Sequence, residues 1–284
     1  MPLRLRRRPR FDAPQLDEVQ QRALESLQQD GVAVVSFSEL FDDGAFWAQL
    51  EADMRSFVDA AEAEIAGLSS EERKARYGNK SFLVRRFRRK QKGDPQPLLG
   101  PSTPWVRLGI ADRLLDIVNA YRGQTMRLHD VDNWYTVPEG DKAERILSQK
   151  WHRDGWENHI VKVFTYFADV DEEAGPFEYV RGSTSGGKYG SLWPWEDEEV
   201  YPDPEEFAAA IDPDDYLTLT GPPGTIVVCD TSGFHRGGFA RSKPRILSYL
   251  TYLSDEGNSL HRRKFDVDWA GGEELSPAAR YALS

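Results

Sequence analysis

The chain has 284 residues, 39% hydrophobic and 29% charged, with 23 glycines and 17 prolines, the profile of a globular chain long enough to bury a core. Its single cysteine, Cys229, excludes a disulfide framework and a thiolate metal cluster, so any metal must be held by His, Asp or Glu, and a reducing, cytoplasmic setting is expected. The net charge of −11 argues against nucleic acid as a partner, and no stretch approaches the roughly 18 apolar residues needed to span a bilayer, so no membrane partner is expected either.

The charge is unevenly placed. Five bases between Arg4 and Arg10 form a basic arm over residues 1–12, with no apolar stretch of the signal-peptide kind behind it. Six more fall between Arg85 and Lys92, again without an acid. This second island is either a solvated loop or a device in which Arg85, Arg86, Arg88 and Arg89 steer an anionic substrate toward a pocket.

Residues 13–124 read as a mostly helical flank. Leu16, Val19, Ala23, Leu24 and Leu27 recur at helical spacing before Gly31, and a short strand follows at Val32–Val35. Phe46, Leu50, Met54, Phe57, Ala61 and Ile65 predict a second helix. Ser69 and Glu72 form the capping-box pair of a third, and a fourth spans about Asp112 to Tyr121, closed by Gly123.

From residue 125 the texture changes to short β-branched and aromatic runs punctuated by Gly, Pro and Asp. Strands are predicted at Met126–Val137, Ile160–Phe167, Phe177–Val180, Tyr216–Thr220, Thr225–Cys229 and Arg245–Leu253. Such runs without intervening helices argue for an antiparallel sandwich or barrel. The expected architecture is mainly β with flanking helices: a double-stranded β-helix (jelly-roll) core over 125–254 packed by the N-terminal helices, with a C-terminal extension over 255–284, all one domain. An insert at 182–215 interrupts that core. It holds Trp193 and Trp195 and ten acids between Glu196 and Asp215, and reads as a surface excursion or a lid.

Five histidines are available for chemistry. His152 and Asp154, two apart in Trp151-His152-Arg153-Asp154-Gly155, share one face if the backbone is extended. His235 lies in the Gly-rich turn Ser232-Gly233-Phe234-His235-Arg236-Gly237-Gly238, just after an apolar strand. Two His and one carboxylate make the facial triad that holds Fe(II) and leaves positions open for a chelating co-substrate and O₂, although the same donors admit Mn or Zn. The competing reading is a hydrogen-bonded surface pair plus an unrelated loop histidine. Arg245 heads the last strand and alternates with Leu247 and Tyr249 onto one face, so a buried guanidinium there needs a carboxylate partner. Arg241 is its rival, but Arg241-Ser242-Lys243-Pro244 reads as loop.

These elements resemble the phytanoyl-CoA dioxygenase family of Fe(II)- and 2-oxoglutarate-dependent oxygenases. The resemblance covers about residues 125–253 and rests on Trp151-His152-Arg153-Asp154, Ala168-Asp169-Val170-Asp171, Ala174-Gly175-Pro176, Tyr179-Val180-Arg181-Gly182-Ser183, and His235 with Arg245. It implies iron held by His152, Asp154 and His235, with the distal carboxylate of 2-oxoglutarate on Arg245. Asp154 keeps a carboxylate where halogenating relatives have a small residue, so hydroxylation or a follow-on oxidation is implied. Arg181 and Thr184 stand where the family has Pro and His, a departure that bears on substrate contacts.

Asn133 and Tyr135, on a strand expected to flank the site, are further co-substrate candidates, as is Lys150. Trp151, Trp156 and Phe164 read as core or as substrate lining. His159 is expected to pack or hydrogen-bond, His129 and His261 to lie at the surface, and Cys229 to be an inert core thiol. The expected substrate is a small molecule, phosphate- or carboxylate-bearing if the basic island steers it. Two other readings stay open: a Zn- or Mn-dependent cupin-like isomerase or hydrolase, and a non-catalytic jelly-roll binding protein.

Overall fold

Asp17 accepts from the Gln20 backbone N–H while Gln20 reciprocates, so a capping box opens α1 (Glu18–Asp30), and left-handed Gly31 ends it. The structure is a computed structural model describing residues 12–78, 81–87, 97–140, 144–155, 157–194, 201–255, 262–269 and 274–284. Most of the N-terminal basic arm, Arg88, Arg89, Trp156, Trp195 and His261 lie outside the described residues.

After α1 come β1 (Val32–Ser36), α2 (Phe37–Phe41), α3 (Gly44–Ile65), α4 (Ser70–Tyr77), β2 (Leu83–Arg85), α5 (Pro104–Gly109) and α6 (Asp112–Arg122). The β-rich part supplies β3 (Arg127–Thr136), β4 (Val161–Tyr166), β5 (Phe177–Val180), α7 (Pro204–Ala210), β6 (Tyr216–Leu219), β7 (Thr225–Asp230), β8 (His235–Arg236) and β9 (Arg245–Leu253), before α8 (Pro277–Leu283). The strands expected from composition are therefore present to within a residue or two. The short helices α2, α5, α7 and α8 and the three-residue β2 offered too few periodic positions to be read in advance.

Among the described residues two sheets form, one of six strands in the order β1-β7-β4-β9-β3-β2 and one of three in the order β6-β5-β8. Every strand pair is antiparallel. Strand alternation sorts the side chains into two layers. Val163 on β4, Val228 on β7, Val131 on β3 and Leu250 on β9 face the helices, meeting Leu50, Met54, Trp105, Leu108 and Leu114. Phe164, Tyr166, Val227, Leu247 and Tyr249 face the second sheet, meeting Phe177 and Tyr179. Because both faces of the large sheet are covered, β4 and β7 are buried along their whole length. The result is a double-stranded β-helix that is open rather than a closed barrel.

The described residues of segment 182–215 are packed onto this frame. Tyr189, Phe207 and Ile211 join Val180 and Phe234 in a third apolar cluster, against which Trp151 and Trp193 lean. Asp203 caps α7 through the Glu205 and Glu206 N–H groups, and Pro204 stands in its first turn, where a missing N–H costs nothing. Among the described residues no helix is long and apolar enough to cross a membrane.

Candidate active site

The loop before β4 is zipped to the turn before β8. The His152 N–H donates to the His235 carbonyl at 3.1 Å, the His235 N–H returns to the His152 carbonyl at 3.0 Å, and the Asp154 N–H donates to Thr231 at 2.9 Å. That ladder keeps residues 152–154 extended, so His152 and Asp154 project to one side and Arg153 to the other. One donor atom from each of His152, Asp154 and His235 lies within 4.8 Å of the others, the spacing of a three-point metal site.

Both imidazoles are oriented from behind. Nδ1–H of His152 donates to the Lys150 carbonyl at 2.8 Å and Nδ1–H of His235 to the Gly233 carbonyl at 2.9 Å, leaving each Nε2 lone pair for a metal. Burial, with His152 close by, pushes His235 down to about 3, so the ring is neutral. Burial works against ionising Asp154, but the Lys162 ammonium beside it outweighs that and holds the carboxyl below its usual range. Two imidazoles, each turned by its Nδ1 hydrogen bond, and one carboxylate suit a divalent cation.

Arg153, on the far side, donates to the carbonyls of Ser183, Ser232, Tyr189 and Leu192 and lies over the Phe234 ring. The residue between two ligand candidates thus ties insert 182–215 to the loop that carries them.

The triad opens on a cavity of about 470 Å³ between the sheets, walled by Trp134, Phe164, Phe177, Leu247 and Tyr249, with Arg245, Lys162 and Arg85 among its polar lining. Arg245 is buried; its Nη1 donates to the Gly175 carbonyl at 2.7 Å, while its Nε has no partner. Among the described residues no acid pairs with Arg245, and the nearby Glu178 is held by Arg145 and Arg236. A buried cation in this state calls for an anion from outside the chain. Arg241 instead lies on the exposed loop beside Glu173, 3.9 Å away.

The structure corrects several expectations. Asn133 and Tyr135 do share a face, but it is the helix-facing one. The Tyr135 hydroxyl donates to Glu62 on α3 at 3.3 Å, and the Asn133 amide faces the Trp105 indole on α5. Trp134 and Thr136 line the cavity in their place. The cause is parity: a strand buried on both sides carries no polar alternation to mark the site face. Arg85 and Arg86 do not form a free steering patch, since Arg85 pairs with Asp132 at 2.6 Å and Asp130 at 3.4 Å, and Arg86 pairs with Asp53. His129 is buried rather than at the surface. Lys150 is exposed beside Tyr201. Trp151 stacks on Phe207, so it packs against the insert, whereas Phe164 lines the cavity.

His159 hydrogen-bonds Asp230 at 2.7 Å and Cys229 is buried, both as expected. Lys162 went unnoticed in the sequence. The available signal was a lone base in the apolar run Val-Lys-Val-Phe-Thr-Tyr, in phase with Phe164 and Tyr166.

No protein-family model matches the chain, and no curated protein does. Solved structures do match in fold. The SnoN epimerase, in complex with Fe³⁺, alpha-ketoglutarate and nogalamycin RO, superposes with a TM-score of 0.56 at 16% identity, over 90% of this chain and 93% of that one. EctD from S. alaskensis, with 2-oxoglutarate and 5-hydroxyectoine, gives 0.57 at 19% identity over 100% and 97%. HygX from Streptomyces hygroscopicus, with nickel and 2-oxoglutarate, gives 0.50 at 17% over 94% and 100%. At these identities the likeness is one of fold.

Proposed function

We propose that this protein is a non-haem Fe(II)- and 2-oxoglutarate-dependent oxygenase that hydroxylates, or otherwise oxidises, a C–H bond of a small molecule. The observation that carries the reading is the meeting in one cavity of the His152–Asp154–His235 triad with buried Arg245, a cation lacking an acid partner among the described residues. Three protein ligands on one side leave the cavity side open for a chelating co-substrate and O₂. A dicarboxylate that reaches the metal at one end would meet Arg245 at the other.

In this reading His152, Asp154 and His235 hold iron, and Arg245 fixes the orientation of 2-oxoglutarate. Trp134, Phe164, Phe177 and Tyr249 keep the cavity dry, and Arg153 holds the insert against the metal-bearing loop. When bound, iron and 2-oxoglutarate supply the oxidising power, consuming O₂ and releasing succinate and CO₂. Fold neighbours that bind iron, nickel and 2-oxoglutarate support it, and the short motifs shared with the phytanoyl-CoA dioxygenase family support placement in that family. A chain whose one thiol is buried suits the cytoplasm.

A Zn- or Mn-dependent isomerase or hydrolase could use the same triad without a co-substrate, leaving Arg245 to bind an acidic substrate instead. Two measurements test the reading together: Fe(II) binding to the purified protein and to His152→Ala and Asp154→Ala variants, and Fe(II)-dependent conversion of 2-oxoglutarate to succinate without added substrate. One tight Fe(II) per wild-type chain, slow succinate release, and loss of both in each variant is the expected result. Metal binding without succinate release under any added substrate would contradict it.

A further inference from the structure

Lys162 is the residue the oxygenase reading leaves without a role. It sits on β4 opposite Cys229 on β7 and Thr251 on β9, in phase with the inward-facing Phe164 and Tyr166. Its side chain is 10% exposed, its ammonium pairs with Asp154, and it lies 5.6 Å from the centre of the Tyr249 ring.

Asp154 is also the carboxylate proposed to bind the metal. Once a dication takes that carboxylate, Lys162 shares its counter-charge with a second cation, and a further anion is favoured at the ammonium. Among the described residues three other cations border the cavity, Arg85, Arg153 and Arg245.

The other cations are engaged elsewhere. Arg85 is held by Asp132 and Asp130, and Arg153 by four backbone carbonyls. Arg245 is the proposed co-substrate anchor and stands at the far end of the same face, since Lys162 pairs opposite Thr251, about 20 Å along β9 from Arg245. Lys162 therefore belongs to a different part of the cavity, where the second reactant would enter.

We infer that Lys162 binds an anionic group of the substrate, and that this group is a carboxylate on an apolar body. A single ammonium beside the Tyr249 and Phe164 rings matches one carboxylate, whereas a phosphate dianion calls for several converging donors. The inference rests on the oxygenase reading and names the class of its substrate.

The test uses the full chain loaded with redox-inert Zn(II) and saturated with 2-oxoglutarate, so that neither Arg245 nor the metal can capture the probe. Butyrate and 3-phenylpropionate are each compared with their primary amides, and with phenyl phosphate, by calorimetry in wild type, Lys162→Met and Lys162→Arg. At least one carboxylate binds wild type about ten-fold more tightly than its amide, as a charge-assisted contact requires. Lys162→Met, compared at Zn(II) and 2-oxoglutarate concentrations that saturate the variant, erases that preference, and Lys162→Arg, which keeps the charge, restores most of it. Equal binding of acid and amide to wild type, or a preference that survives in Lys162→Met, would overturn the inference alone. Tighter binding of phenyl phosphate than of either acid would overturn the carboxylate assignment. Failure of wild type to bind Zn(II) or 2-oxoglutarate would overturn the oxygenase reading, and this inference with it.

Discussion

The Arg153 guanidinium carbon lies 3.7 Å from the centre of the Phe234 ring, so the side chain that separates His152 from Asp154 is clamped against the residue preceding His235. Extended backbone sends neighbours to opposite sides, and here one side holds the donors while the other fastens them to the insert.

Replacing Arg153 with Met is therefore expected to damage the centre without touching it. Four carbonyls lose a charged donor, a loss of about 2–4 kcal/mol, which lowers the melting temperature by roughly 5–10 °C in a chain of this size. Zn(II) affinity should fall about ten-fold as the loop loosens. Thermal melts and a competitive metal titration check both, and an unchanged metal affinity would show that the insert does not support the site.

The face assignment of β3 gives a paired prediction. Tyr135→Phe removes only the bond to Glu62, about 1 kcal/mol, and leaves 2-oxoglutarate affinity as it was. Trp134→Ala strips a cavity wall that stacks on Tyr249 at 4.4 Å and should weaken co-substrate or substrate binding. The two dissociation constants, measured side by side, decide which face serves the site.

Gly238 is sterically fixed. A Cβ there would overlap the backbone of Gly175 and the carbonyl of Pro176, and Gly175 is the residue whose carbonyl accepts from Arg245. Gly175 also has φ of 72°, which a glycine adopts without strain. Gly238→Ala should cost about 3 kcal/mol or more, read as a lowered urea midpoint, because backbone cannot step aside as a flexible side chain would.

The buried Cys229 thiol is pushed well above its ordinary value, chiefly by burial. A raised folded-state value means the unfolded chain loses this proton first, so the contribution to stability is complete below about pH 8.5 and declines above it, by up to about 1.4 kcal/mol per pH unit. Wild type should thus lose stability between pH 8 and 10 faster than Cys229→Ala, on the order of 1 kcal/mol, in parallel urea titrations. Equal slopes would contradict the thiol's protonated burial.

Legibility in the sequence followed local signals. The cap at Ser69, the helix-ending Gly31 and the strand runs were readable because each is set by residues within a few positions. The i, i+2 relation of His152 to Asp154 was readable for the same reason, and Arg245 stood out as a cation at the head of an apolar strand. Long-range pairing was hidden. Nothing near Arg85 reveals Asp132, which is 47 positions away and neutralises it, and nothing near Asn133 reveals that the helices cover its side of β3. Lys162 was partly legible as an isolated base, but its meaning depends on Asp154 reaching it from a separate loop.

One cavity is proposed to hold both a metal and a dicarboxylate anchored by Arg245. Anaerobic titration of the metal-free protein with Fe(II) and then 2-oxoglutarate, followed through the visible charge-transfer band of the chelate, tests it in wild type and in Arg245→Ala. Wild type is expected to give a saturable band, and the variant an affinity for 2-oxoglutarate at least about 30-fold weaker, the loss expected when one partner of a buried charge pair is removed. A wild-type chain that binds one Fe(II) but gives no band, or a variant that titrates like wild type, would contradict it.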